Sequence, residues 1–256
     1  MVVGLDRFAA HFADYRDRYV LIGGAATWLV LDEAGLEPRA TQDLDIVLCV
    51  EALDPEFAAV FWEFIRAGGY EIQEKSGGAK LFYRFLRPRQ PGYPAMLELF
   101  SRKPDLLVLG DDSHLTPIPL REDVSSLSAI LLDENYYNFI HQHKREIEGV
   151  SIVGEECLIP LKARAWLDLT QRKAEGGQVD SRDIRKHRGD VLRLYLLINP
   201  GLRITLPETI RADLAAFLRG IEPELTPQFL KQLGIQGAGS VEVLQTIRSV
   251  YGVVEG

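Results

Sequence analysis

The sequence has little cysteine and no long apolar run. Its two cysteines, Cys49 and Cys157, are far apart in 256 residues, which excludes a disulfide scaffold and a cysteine-rich metal site. No stretch approaches the roughly 18 consecutive apolar residues that a membrane-spanning helix needs. The N-terminus lacks the basic segment and apolar core of a signal peptide. We therefore expect a cytoplasmic protein that does not enter a membrane.

An excess of positive charge is also missing. The chain has 37 acidic and 29 basic residues, a formal net charge of -8, so its overall field does not attract polyanions. Residues 162–193 are an exception, with nine Lys or Arg and five Asp or Glu, a net of +4 (9 − 5). This segment predicts either a phosphate-binding or RNA-binding face or helices with pairs such as Arg164–Asp168 at i, i+4.

Hydrophobic residues make up 46% of the chain, enough for a sizeable core, and their spacing divides it into a mixed half and a helical half. Alternating or short apolar runs predict strands over 19–24, 43–50, 70–75, 80–86, 95–101 and 128–133. Apolar residues three or four apart predict helices over 5–18, 25–35, 55–69, 135–144, 155–174, 181–198, 207–220 and 240–252. A glycine-rich turn is predicted over 76–79, between two of the strands. The pattern indicates an α+β protein with an αβ domain over 1–155 and a helical domain over 156–256.

Two aspartates stand at alternate positions of a predicted strand, in the segment "DLDIVL". Residues i and i+2 of a strand face the same side, so Asp43 and Asp45 form one acidic edge. Two carboxylates there suit Mg²⁺ or Mn²⁺, since magnesium takes one or two protein carboxylates together with substrate phosphates. Glu98, alone between two leucines of "LEL", is the best candidate for a third ligand. The alternative is a strand whose polar face simply meets water.

A glycine pair, Gly23 and Gly24, ends the strand before this one and precedes a predicted helix. Without side chains these residues let a triphosphate approach backbone N–H groups at the start of the helix. Together, "IGGAATWLVL" and "ATQDLDIVL" resemble the glycine-pair and Asp-x-Asp segments of the AbiEii-like nucleotidyltransferases. Those are toxins of abortive-infection and toxin–antitoxin systems, with the fold of the DNA polymerase β-like superfamily. The 19 positions from Gly24 to Asp43 (43 − 24) exceed the usual spacing of that superfamily, and an insertion around "DEAGLEPRA" would explain this.

The resemblance extends weakly into the helical half and ends near residue 200. Similar proteins have a lysine on the first helix after the sheet, matched here by Lys162 in "IPLKARAWLDL". They have a functional aspartate about twenty residues later, for which Asp180 and Asp183 are both candidates. A lysine in this place is suited to bind the β- and γ-phosphates of a nucleotide, although a surface lysine is an equal alternative. Asp180 also precedes a predicted helix, where a capping role is expected.

Two further residues are candidates for contact with the nucleotide. Ser101 belongs to "ELFSR", a segment that also resembles the family, and lies at the end of the strand of Glu98. Arg84, in "FYRF", can point towards the same cleft or into solvent. The resemblance thus implies a nucleotidyltransferase-type mixed sheet flanked by helices and followed by a C-terminal helical region. Its catalytic candidates are Asp43, Asp45, Lys162, Asp180 and Asp183, and its nucleotide-binding candidates are Gly23, Gly24, Lys162, Ser101 and Arg84.

The function implied by the resemblance is metal-dependent transfer of a nucleoside monophosphate from an NTP to a hydroxyl group. The expected acceptor is RNA, with a tRNA 3′ end as one case, or a protein, and a cognate antitoxin is a possible partner. Two alternatives stay open: transfer to a small molecule such as an antibiotic, and a non-catalytic protein that binds a nucleotide or a partner. The second alternative gives no reason to keep two carboxylates at positions 43 and 45.

Overall fold

A computed structural model describes residues 2–74, 80–102, 115–117 and 128–254. The chain divides into two compact units, Met1–Val153 and Gly154–Gly256. The predicted turn over 76–79 lies outside the described residues. Within the described residues, no helix is both long enough and apolar enough to cross a membrane.

The first unit combines a sheet with four α-helices in its described part. Its strands are β1 (Tyr19–Ile22), β2 (Asp43–Leu48), β3 (Glu71–Glu74), β4 (Lys80–Leu86), β5 (Met96–Ser101), β6 (Leu115–Pro117), β7 (Ser128–Leu131), β8 (Lys144–Ile147) and β9 (Val150–Val153). Its helices are α1 (Leu5–His11), α2 (Gly23–Glu33), α3 (Pro55–Gly68) and α4 (Glu134–Gln142), with 3₁₀ turns at Ala13–Arg18 and Val50–Ala52.

The sheet is mixed. Its main path runs β3-β4-β5-β2-β1-β9-β8, and β7 pairs with both β5 and β6. The pairs β2–β5, β1–β9 and β5–β7 are parallel, and the remaining pairs are antiparallel. This mixed sheet, flanked by helices and followed by C-terminal helices, confirms the predicted α+β class.

One face of the sheet is covered by aromatic side chains from α1 and α3. Helix α3 begins at a cap in which Asp54 accepts a hydrogen bond from the backbone N–H of Phe57, and it ends at Gly69 in the left-handed conformation. Phe8 of α1 packs edge-on against Tyr19 of β1, with ring centroids 5.2 Å apart. Phe61 of α3 packs against Phe85 of β4 at 5.6 Å. The core therefore lies on this face, and alternate strand residues point to the other face.

One predicted helix is shorter in the structure, and one hairpin was not predicted. The helix expected over 5–18 ends at His11, and a 3₁₀ turn with non-helical backbone at Tyr15 follows it. Both Phe8 and Phe12 are buried. Strands β8 and β9 form a hairpin that the pattern does not predict. Its two turn residues, Glu148 and Gly149, both have positive φ, as a type I′ turn requires, but glutamate is not among the usual residues of that turn. Strand β8 is also mostly charged and exposed, as edge strands often are.

The second unit is helical, as predicted. It contains α5 (Glu155–Ala174), α6 (Ser181–Tyr195), α7 (Glu208–Ile221), α8 (Pro227–Gln232), α9 (Ser240–Tyr251) and a 3₁₀ turn at Glu222–Glu224. Trp166 of α5 packs edge-on against Phe217 of α7, with ring centroids 5.3 Å apart. Gly220 makes this contact possible, because a Cβ there would lie 2.6 Å from the Trp166 ring.

Candidate functional site

Four of the predicted site residues lie on one face of the sheet. Strand register aligns Ile22 with Asp45, Asp45 with Glu98, and Glu98 with Arg84, on four adjacent strands. Asp43 precedes Asp45 by two residues and shares its face. This row alternates with residues of the aromatic core, so it lies on the face opposite α1 and α3, which we call the site face. The two aspartates are partly exposed there.

Gly23 lies directly against the carboxylate of Asp45. A Cβ added to Gly23 would fall 1.7 Å from Asp45 Oδ2, and the residue has φ of +65°. Both the contact and the backbone conformation therefore require glycine. Helix α2 begins at this residue, and Thr27 Oγ1 donates a 2.7 Å hydrogen bond to the Gly23 carbonyl. Helix α2 thus begins next to Asp45.

Gly24 makes a similar close approach to Thr41. A Cβ on Gly24 would lie 2.7 Å from Thr41 Oγ1, and Thr41 is buried. Sequence reasoning missed Thr41, although it precedes Asp43 by two residues and continues the same alternation. Both glycines predicted from the motif therefore contact the segment 41–45 directly.

Glu98 is buried and forms an ion pair with Arg84. The Nε of Arg84 donates to Glu98 Oε1, and Nη2 lies against the same oxygen. Burial raises the pKa of Glu98, the charge and hydrogen bond of Arg84 oppose that rise, and the carboxylates of Asp45 and Asp43 add to it. Arg84 therefore lies on the site face, and its guanidinium pairs with the carboxylate of Glu98.

The donor set fits a hard divalent ion with two protein carboxylates. Among the residues that the structure describes, no group of three or more His, Cys, Asp or Glu is arranged to hold a metal ion. Glu98, predicted as a third ligand, instead accepts hydrogen bonds from Arg84. Asp43 and Asp45 offer carboxylate oxygens on one face, and Mg²⁺ or Mn²⁺ can take one or two such ligands and obtain the others from water and phosphate.

Ser101 does not lie with this group. It follows Glu98 by three positions, so the alternation of the strand turns it to the opposite face, together with Leu97 and Leu99. It is fully buried, and its hydroxyl has no hydrogen-bond partner in the described structure. The strand geometry therefore separates Ser101 from the aspartates and does not support its predicted contact with a nucleotide.

Lys162 is buried in the second unit and paired with a residue that the sequence did not indicate. Its ammonium donates a 2.9 Å hydrogen bond to Asp190 Oδ2, and both side chains are 3% exposed. Asp190 also lies 3.6 Å from Arg193 Nη1. A lysine that binds phosphate must be accessible to the nucleotide. Because Lys162 is buried, its contact with Asp190 is better explained as a structural ion pair. The role of Lys162 in nucleotide binding stays a prediction.

Neither candidate for the distal aspartate contacts Lys162. Asp180 caps α6, where its side chain accepts from the backbone N–H of Arg182 and pairs with the Arg182 guanidinium. These contacts, with the Arg182 hydrogen bond as the largest cause, lower the pKa of Asp180. Asp183 lies exposed in the first turn of α6. The buried carboxylate of this helix is that of Asp190. Since a buried lysine needs an acidic partner, the position of Lys162 in an apolar helix segment could have indicated such a residue.

A separate polar cluster lies just after the C-terminal end of β2. Tyr137 donates to Glu51 Oε2 at 2.6 Å, and Arg102 donates to Glu51 Oε1 at 2.8 Å. The Cys49 thiol lies 3.7 Å from His141 Nδ1. Burial raises the pKa of that thiol to about 12, so Cys49 is a buried hydrophobe, as predicted, and does not have the acidity of a nucleophile.

No protein-family model matches the chain, and no curated protein matches it either. The chemistry of the chain is therefore inferred from five neighbouring residues: Gly23, Asp43, Asp45, Arg84 and Glu98.

Proposed function

We propose that the chain is a metal-dependent nucleotidyltransferase. The observation that carries the proposal is the contact between Gly23 and the Asp45 carboxylate. This contact brings the start of a helix next to a carboxylate pair. The start of a helix favours phosphate through its N–H groups and dipole, and a carboxylate pair favours a divalent ion. A nucleoside triphosphate with its magnesium ion needs these two environments side by side.

Each residue of the site face has a distinct role in this proposal. Asp43 and Asp45 hold the ion, and Gly23 and Gly24 let Asp45 and Thr41 approach the start of α2, where the phosphates bind. Bound Mg²⁺ or Mn²⁺ supplies charge stabilisation at the α-phosphate and lowers the pKa of a coordinated hydroxyl group. The buried side of the sheet keeps β1 and β2 in register, so both aspartates stay on the same face.

The reaction is an in-line displacement at the α-phosphorus. The acceptor hydroxyl oxygen forms a bond to that phosphorus, and the bond from phosphorus to the α,β-bridging oxygen breaks. The hydroxyl proton passes to a carboxylate of the aspartate pair or to water, and pyrophosphate leaves. The product is the acceptor carrying a nucleoside monophosphate through a phosphodiester linkage.

We favour RNA or protein as the acceptor because of the resemblance to AbiEii-like toxins. The basic segment 162–193 gives less support than its net charge suggests, since Lys162 pairs with Asp190, Arg164 with Asp168, and Arg188 with Glu224. Arg185 is exposed near the start of α6 and is available to a polyanion, whereas the exposed Arg182 pairs with Asp180. Transfer to a small molecule is the competing possibility.

The first experiment is calorimetric titration of ATP, GTP, CTP and UTP with Mg²⁺. We expect one or more to bind wild-type protein, and the Asp43→Ala/Asp45→Ala variant to lose that binding. The control is Asp6→Ala/Asp14→Ala, which alters two exposed aspartates and keeps the binding. If no NTP binds to the wild type, the proposal is wrong.

Transfer and toxicity distinguish the acceptors. Labelled NTP that becomes attached to total RNA or to protein, together with growth arrest on expression, supports a toxin-like enzyme. Labelling of a small hydroxylated molecule without growth arrest supports the competing possibility.

A further inference from the structure

Thr41 lies against the start of α2, where the proposed function requires the phosphates to bind. A Cβ added to Gly24, the second residue of that helix, would lie 2.7 Å from Thr41 Oγ1, 3.3 Å from Thr41 Cβ and 3.7 Å from Thr41 Cγ2. The hydroxyl oxygen is therefore the atom of the Thr41 side chain nearest to this position of the helix. The methyl group lies farther away, so the polar end of the side chain faces the helix start.

This hydroxyl group has no protein partner in the parts of the chain that the structure describes. Thr41 is 7% exposed. Its backbone carbonyl accepts a 3.4 Å hydrogen bond from Val3 N–H, whereas Oγ1 makes no hydrogen bond to a described residue. A hydroxyl group that leaves bulk water without a hydrogen bond costs free energy. A ligand with an acceptor oxygen at this place would remove that cost.

Helix α2 also begins without a polar side chain of its own in its first turn. Its N-cap residue is Ile22, and residues 23–26 are glycine and alanine. The first N–H groups of a helix have no partners within the helix, and the helix dipole favours an anion beside them. The Thr41 hydroxyl brings a further donor to the same place from a separate segment. Such a combination of donors suits a phosphate group, which has several acceptor oxygens.

The backbone around Thr41 is held on both sides. Val2 and Thr41 form a parallel bridge, and the carbonyl of Gln42 accepts a 2.7 Å hydrogen bond from Ala95 N–H. Threonine is also β-branched, so its side chain has few rotamers. Little conformational freedom is therefore lost when the hydroxyl binds a ligand, which favours affinity.

From these observations we propose that Thr41 is a nucleotide-binding residue: its hydroxyl donates a hydrogen bond to a phosphate oxygen of the nucleotide at the start of α2. This inference rests on the proposed function, because it concerns the same nucleotide. It identifies the phosphate chain, and neither the base nor the sugar, as the part of the nucleotide that Thr41 recognises. Loss of the hydroxyl should therefore weaken the binding of every NTP that binds by a similar factor.

The test compares Thr41→Val, which removes the hydroxyl and keeps the shape of the side chain, with Thr41→Ser, which keeps the hydroxyl. Each protein is titrated by calorimetry with Mg²⁺ and the non-hydrolysable α,β-methylene analogue of the NTP that binds most tightly. Inorganic tripolyphosphate with Mg²⁺ is titrated next. We expect Thr41→Val to weaken the affinity for both ligands by about tenfold or more, as for a lost hydrogen bond to a charged group, and Thr41→Ser to weaken it by less than about threefold.

Three results would overturn the inference. Equal affinity of Thr41→Val and the wild type for the NTP analogue would show that the hydroxyl does not bind the nucleotide. A loss confined to the NTP analogue, or failure of tripolyphosphate to bind the wild type, would show that the phosphate chain is not what Thr41 recognises. An equal loss in Thr41→Ser and Thr41→Val would show that the shape of the side chain matters and its hydroxyl does not.

Thr170→Val is the matched control, because the hydroxyl of Thr170, on α5, also lacks a hydrogen-bond partner in the described structure. This variant should bind both ligands as the wild type does. Without nucleotide, Thr41→Val should unfold at a temperature similar to that of the wild type, and the nucleotide should raise this temperature less than it does in the wild type. Thr41→Ala is a second variant without the hydroxyl and should show a similar loss of affinity.

Failure of this inference is distinguishable from failure of the proposed function. If the wild type binds nucleotide and Asp43→Ala/Asp45→Ala loses it while Thr41→Val is unaffected, the proposed function stands and this inference fails. If the wild type binds no nucleotide, both fail.

Discussion

Gly23 and Asp45 are in contact through the backbone of one and the carboxylate of the other. A Cβ on Gly23 would lie 1.7 Å from Asp45 Oδ2, a distance that no side-chain rearrangement short of moving Asp45 could relieve. The two segments of the motif, 19 or more residues apart in sequence, are therefore parts of one site. Helix α2 and the residues that connect it to β2 lie between the two segments.

Gly23→Ala should displace the Asp45 carboxylate and abolish Mg²⁺-dependent NTP binding. It should also cost about 1–3 kcal/mol of unfolding free energy, because φ at Gly23 is positive. Gly35→Ala is a matched control: φ there is also positive, but nothing lies within 4 Å of the added Cβ. Gly35→Ala should lower the free energy of unfolding through backbone strain and should still bind the nucleotide. Equal binding by both variants in calorimetry would contradict the close contact of Gly23 with the site.

Loss of one member of the pair between Lys162 and Asp190 should destabilise the second unit strongly. Lys162→Met leaves a buried carboxylate with a weaker partner, and we expect a loss of about 3–5 kcal/mol in denaturant unfolding. Arg164→Met, on the same helix, removes an exposed charge that pairs with Asp168 and Asp213 and should cost less than about 1 kcal/mol. Lys162→Met/Asp190→Leu should recover much of the loss. Similar losses for Lys162→Met and Arg164→Met would argue against a buried pair.

Asp180 should act as a helix cap and not as a nucleotide-binding residue. Asp180→Ala removes the acceptor for the Arg182 N–H and should lower stability measurably, whereas Asp180→Asn keeps a capping side chain and should lower it less. Asp183→Ala should have a small effect on stability because the residue is exposed. All three variants should bind NTP as the wild type does. A variant that folds normally but loses transfer would identify the distal functional aspartate.

His141 should make the stability of the first unit depend on pH. Burial lowers its pKa from the ordinary value of 6.5, Lys144 and Arg102 lower it further, and Glu51 opposes them. The folded state therefore holds the neutral ring, and stability is fully present above pH 6.5. As the pH falls below 6.5, the unfolded chain takes up a proton first, so the wild type should lose stability until the lowered pKa of the folded state is reached.

The comparison that isolates this effect is His141→Gln, unfolded at pH 7.5, 6.5 and 5.5. We expect the variant to have a flatter dependence over this interval than the wild type, since glutamine does not titrate. If the stabilities of the wild type and of His141→Gln changed equally with pH, His141 would not be the cause of the pH dependence.

Much of the architecture was predictable because its signals are local. The alternation of Asp43 and Asp45 is a property of any extended strand, and it predicted their common face without knowledge of the neighbouring strands. Pro55 at the start of α3 and the left-handed Gly69 after its end mark the bounds of that helix in the same way. The helical spacing after residue 155 predicted α5, α6, α7 and α9, since apolar positions three and four apart lie along one side of a helix.

The errors in local structure have local causes as well. The hairpin of β8 and β9 has an unusual turn residue, Glu148, and a charged edge strand, so it lacks the common hairpin signal. Ser101 was grouped with Glu98 because both belong to one strand, although a separation of three residues turns them to opposite faces.

What the sequence by itself determined is the kind of site: glycines at the start of a helix and paired carboxylates on one strand face, because those depend on backbone geometry over a few residues. Tertiary structure alone decided the partners. Arg84 meets Glu98, Gly23 meets Asp45 and Lys162 meets Asp190 across separations of 14, 22 and 28 residues (98 − 84, 45 − 23 and 190 − 162). Such pairs follow from strand order, register and helix packing, which depend on the burial of the whole core and not on any one segment.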